Sequence, residues 1–137
     1  MMANKKQIIQ KTEPPVVVEN KLSIPAIEEN MLFENLNDNL KNLNKLKGVL
    51  GYIIRNAASA TIDLKEPEKL VEYAIFTSQV MDSSMELAEL FALGDLKTIL
   101  IEGEKLKVLI MMVKENKINL FMEKSVDHIE LAKKVSP

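Results

Sequence analysis

The sequence predicts an α+β domain, α-β-β-α-β-β-β-α, with a five-stranded antiparallel sheet carrying a long helix on one face and two helices on the other. Three observations lead there. Apolar residues recur at helical spacing in three stretches and form five short strand-like runs. The strands come in groups between helices, the pattern of a sheet built from hairpins. One stretch, residues 66–93, runs for about 28 residues without glycine, and its only proline, Pro67, falls in the first turn, where no N–H is needed.

The totals agree with one domain of 137 residues. At 47% hydrophobic and 28% charged the chain can bury a core without staples. It has no cysteine, which excludes a disulfide framework and thiolate chemistry and agrees with a cytoplasmic setting. No apolar run approaches the roughly 18–20 residues of a membrane span. The basic start, MMANKKQIIQ, lacks the apolar stretch of a signal peptide. A net charge of −2 with no large basic block argues against nucleic acid as a partner. Arg55 is the only arginine among 18 basic residues, so an arginine-rich phosphate site is excluded.

Residues 1–25 read as an extended or disordered arm broken by Pro14, Pro15 and Pro25, and residues 26–137 as the domain. Within the arm, Val16-Val17-Val18 and Leu22-Ser23-Ile24 are apolar enough to lie along a sheet edge. Over 27–47, Ile27, Met31, Leu32, Leu36, Leu40, Leu43 and Leu46 recur at helical intervals, with Gly48 as the stop. Residues 49–55, VLGYIIR, are apolar on both faces and predict a central strand, with Gly51 marking a bulge or a close approach. Asn56-Ala57-Ala58-Ser59 forms the turn into a short strand over 60–64. The long helix follows and stops at Gly94. Three strands come next: 96–102, a hairpin at Gly103-Glu104, 106–114, a turn at Glu115-Asn116, and 117–123. Ser125 is the expected cap of a last helix over 126–135.

Nothing in this order assembles a catalytic set. His128 is the only histidine, and a metal or base role needs partners that converge. The four glycines are isolated, so no loop cradles a nucleotide, and no His/Cys/carboxylate cluster has ligand spacing. The carboxylate pairs Glu66/Glu68 and Glu86/Glu89 sit where solvated charge is the ordinary explanation. The chain is therefore expected not to be an enzyme and to hold no cofactor and no metal.

What the sequence offers is surface. Apolar positions cover about half of the long helix, where a helix lying on one sheet needs an arc of about 100°. One flank is Tyr73, Phe76, Val80, Leu87 and Phe91; the next is Leu70, Ala74, Met81, Met85, Ala88 and Ala92. The strand at 96–102 carries Ile99-Leu100-Ile101 in a row, and at a sheet edge it would be an open template for pairing. Pairing with a second copy across a two-fold axis would cover it.

KGVLGYIIRN, the long stretch from EKLVEYAIF to ALGDLKTILIE, and LKVLIMMVKENKINLFMEK together resemble the roadblock family, the dynein light chain relatives. The resemblance covers about residues 31–123 and implies a profilin-like roadblock fold. It also implies a homodimer, or a dimer with a paralogue, in which third strands pair edge to edge and long helices pack over the joined sheet. Such a dimer is a platform for a small Ras-like GTPase, as activator or scaffold. Carried onto this sequence, the interface is Lys97, Thr98, Ile99, Leu100 and Ile101 on the strand and Ala74, Met81, Met85 and Ala88 on the helix, with the Tyr73/Phe76/Val80 flank as the alternative. The turn at 56–59 departs from the family's Asp and Gly, so no loop function is carried over. A strand is a poor place for an arginine finger, so activation through Arg55 is not expected. The competing reading is a purely structural interaction subunit, an adaptor or assembly module without a GTPase.

Overall fold

The computed structural model describes residues 24–136. The expected arm lies outside the described residues except for Ile24 and Pro25, which open the first helix, α1 (Ile24–Leu43). The chain divides into two compact units, residues 1–34 and 35–137. The first contributes the opening turns of α1; the second holds everything below.

Five strands form one antiparallel sheet: β1 (Val49–Arg55), β2 (Ala60–Leu64), β3 (Thr98–Glu102), β4 (Leu106–Val113) and β5 (Asn116–Glu123). Their order across the sheet is β2-β1-β5-β4-β3, so β1, β5 and β4 are central and β2 and β3 are edges. The apolar character of the central strands on both faces follows from that position, because helices cover both. Gly51 sits at a bulge in the β1–β5 ladder with φ +148°. A Cβ there would lie 2.5 Å from the Asp63 carbonyl oxygen, so the bulge closes only around glycine.

One face carries the part of α1 from Asn35 onward and the last helix, α3 (His128–Val135). Tyr52 is fully buried and donates its hydroxyl to Asn37 Oδ1 of α1 at 2.8 Å. Asn39 Nδ2 of α1 donates to the Val135 carbonyl at 2.8 Å, tying the two helices together. Lys107 of β4 is buried on this face and donates its ammonium to the Val126 carbonyl just before α3. Leu36, Leu40, Leu120, Met122, Leu131 and Val135 complete the layer.

The other face carries α2 (Leu70–Leu90) behind a single 3-10 turn, Pro67–Lys69. Leu70 and Tyr73 pack on the cluster of Ile53, Leu64 and Phe121. The Tyr73 and Phe121 rings stack at 4.3 Å and 15°, a contact worth about 1 kcal/mol beyond its buried area. This is the predicted sheet with one long helix on one face and two helices on the other.

Boundaries shift where caps and turns decide them. The predicted helix over 66–93 divides into the 3-10 turn and α2, and regular helix starts only at Leu70. The expected Ser125 cap is replaced by Asp127, whose carboxylate accepts from the N–H groups of Ile129 and Glu130, so α3 starts at His128. The last hairpin turns at Lys114-Glu115, one residue earlier than expected, because Val113 and Asn116 already pair. Lys114 supplies the positive φ, +55°, that a two-residue hairpin requires.

Candidate interaction surface and clefts

Among the described residues β3 is an edge strand, bonded to β4 on one side only. Ile99, Leu100 and Ile101 are half-buried along it, while Lys97, Thr98 and Glu102 are exposed. Ile101 lies opposite Val108 and Ile99 opposite Ile110, with Leu100 opposite Leu109 between them. Because side chains alternate, the two isoleucines share the face that carries α2, and Leu100 points to the other face. The predicted strand at 96–102 therefore supplies the free edge, two residues shorter at its start.

The long helix contributes unevenly. Met81 and Ala88 are buried within the chain, on the stripe with Leu70, Tyr73 and Thr77 that packs toward the sheet. Ala74 and Met85 are exposed. Phe76 lies about 160–180° around the helix from both, at about 100° per residue. It is Phe76, with Tyr73 and Glu72, that meets the β3 side: these residues join Ile101, Gly103, Leu106 and Val108 around an apolar groove of 300 Å³. Of the two helix flanks legible in the sequence, the one bearing Tyr73 and Phe76 borders β3. Both flanks hold exposed apolar side chains. Val71, Ile75 and Met85 lie on one, Leu87 and Leu90 on the other, each more than half exposed. These side chains give α2 exposed apolar surface on both sides of the stripe that packs on the sheet.

A second cleft, 580 Å³, lies under the C-terminal half of α2, with Asp82, Glu86, Glu89 and Asp95 around Met85, Ala88, Ala92 and Leu96. A third, of 480 Å³, lies between α1 and β2 with charges of both signs: Asp38, Asp63, Lys41 and Lys45. A small cleft at the sheet end is lined by Arg55, Asn56, Ala57, Glu115 and Lys117. Arg55 is the last residue of β1 and stands exposed at this rim rather than within the ladder's interior.

The turn after β1 holds its shape without glycine. Asn56 Oδ1 accepts from the N–H groups of Ala58 and Ser59, and the Asn56 N–H donates to the Ser59 carbonyl. The asparagine side chain replaces a backbone partner there. His128 is half-buried, and its Nδ1 accepts from the Lys107 ammonium at 3.1 Å. Among the described residues, no three of His, Cys, Asp and Glu come together as a metal site, and no helix is long and apolar enough to cross a membrane.

The sequence profile of the Roadblock/LC7 domain matches residues 36–118. No curated protein matches the chain at the sequence level. Among solved structures, a Roadblock/LC7 domain from Streptomyces avermitilis is similar at TM-score 0.58 and 9% identity, over 76% of this chain and 88% of that one. MglB of Myxococcus xanthus is similar at TM-score 0.61 and 12% identity, over 75% and 80%. A structure described as MglB with a tetrameric arrangement is similar at TM-score 0.56 and 14% identity, over 74% and 80%. At these identities the likeness is one of fold.

Proposed function

Because the chain belongs to the Roadblock/LC7 domain family, we propose that it is a non-enzymatic regulator or scaffold that works as a dimer and binds a small Ras-like GTPase. The observation that carries the reading is the open β3 edge beside an apolar groove on the α2 side. A strand with three consecutive large apolar residues and one unpaired side is a template for strand addition. A second copy meets it with the same edge and completes the sheet across a two-fold axis.

In this reading Lys97, Thr98, Ile99, Leu100 and Ile101 form the paired edge. On the helix, Phe76 joins them through the groove it shares with Ile101. Ala74 and Met85 lie on the far flank, and Met81 and Ala88 are already occupied within each chain. The tetrameric arrangement of the similar MglB structure is in keeping with self-assembly on this fold. The GTPase is what the family resemblance implies. The dimer favours one nucleotide state of that partner by binding it more tightly than the other.

The test is co-migration on size exclusion with each small Ras-like GTPase of the source organism, loaded with GDP or with a non-hydrolysable GTP analogue. The expected result is a complex with one GTPase that depends on the nucleotide. Failure of every GTPase in both states removes the GTPase partner and leaves the structural subunit.

A further inference from the structure

Arg55 and Lys117 face each other directly. They are partners in the β1–β5 ladder, so both side chains leave the same face of the sheet, with Cβ atoms about 5 Å apart. Like charges placed directly opposite one another destabilise a sheet. Neither has an ion-pair partner among the described residues, whose ion pairs are Lys69–Glu72 and Lys133–Glu130. The two cations open into the 240 Å³ cleft at the sheet end, with Asn56, Ala57 and Glu115 as its other walls.

The walls are braced. Asn56 Nδ2 donates to Asn116 Oδ1 at 2.9 Å, joining the turn after β1 to the first residue of β5. Asn116 is buried and donates its own Nδ2 to the Val113 carbonyl at 3.3 Å, so the second turn is fixed to the same bracket. The cations therefore stand on two strand ends held in register, and the turns that flank them are tied together by side-chain hydrogen bonds.

We propose that this cleft binds a single phosphate group, held between the Arg55 guanidinium and the Lys117 ammonium. The planar guanidinium presents two parallel N–H donors to two oxygens, and the ammonium supplies a point charge from the other side. An anion between them converts one repulsion into two attractions. The volume is below the roughly 300–1,000 Å³ of drug-sized pockets and suits one phosphate group rather than a whole nucleotide. Glu115 shares the cleft, and no ion pair of the described residues joins it to either cation, so its carboxylate opposes the anion and weakens the site. The proposal does not depend on a GTPase or on dimer formation, since every residue in it comes from one chain.

The test is a backbone amide NMR titration of the full chain at low ionic strength with inorganic phosphate, with GDP as a second phosphate source and sodium chloride at matched ionic strength as the control. The expected result is saturable shifts confined to residues 55–59 and 114–117. Binding weakens about tenfold or more in Arg55→Gln and in Lys117→Gln, and tightens in Glu115→Gln. If GDP gives the same pattern, the ligand is a phosphate group carried on a larger molecule; if only inorganic phosphate acts, it is the free anion. Shifts that follow ionic strength alone, that spread over the other lysines, or that persist in Arg55→Gln overturn the proposal.

Discussion

Tyr52 shows what a single residue contributes. Its ring fills the layer under α1 and its hydroxyl reaches Asn37 Oδ1. Burial first, then the negative charges of Asp63 and Asp38, push its pKa up from 10.0 to about 12. The folded state thus holds the phenol proton more tightly than the unfolded chain does. The stability this gives is fully present below pH 10 and is lost as pH rises from 10 through about 12. Two units correspond to about 2–3 kcal/mol. Denaturant unfolding of wild type and Tyr52→Phe across pH 9–12 checks this: the wild type is expected to lose about that much more than the variant, and parallel curves would contradict the assignment. The sequence placed Tyr52 in an apolar central strand, but a period-two pattern is silent about which helix residue its hydroxyl meets. The Arg55–Lys117 pair was hidden for the same reason, since register between strands 60 residues apart is set by the bulge at Gly51 and not by either strand alone.

At the scale of elements, α2 is the informative case. Its glycine-free run and Pro67 were legible, but its end is not at Gly94. The Leu93 N–H donates to the Ala88 carbonyl and the Ala92 N–H to the Glu89 carbonyl, with Ala92 at φ +55°. This is a Schellman ending with alanine at the position that favours glycine. The left-handed conformation costs alanine about 1 kcal/mol, so Ala92→Gly is expected to raise stability by about 0.5–1 kcal/mol. Thermal melting checks it, and a fall in the midpoint would mean that the methyl packs in the folded state. Caps and turns drifted by one to four residues elsewhere because they depend on which side chain reaches a free N–H. Asp127 does so at α3, although Ser125 has equally suitable chemistry.

At the scale of the whole molecule, the central places of β1 and β4 and the helices on both faces follow from apolar patterning, which records burial directly, whereas the strand order and the edge position of β3 come from the pairing itself. The helix part of the interaction surface was less legible. Tyr73 and Phe76 were visible as a flank, but periodicity cannot say which flank borders β3; the structure brings Phe76 to the groove it shares with Ile101, while Ala74 and Met85 lie on the other side of the helix. The half-buried row Ile99-Leu100-Ile101 is the decisive feature, because among the described residues no strand pairs with this apolar edge. The measurement that tests it most directly is the solution mass by light scattering, wild type beside Leu100→Lys. A wild-type mass near twice 15.5 kDa that falls to a single chain or aggregates in the variant is the predicted result. A wild-type monomer that stays soluble at high concentration would contradict the joined-sheet dimer.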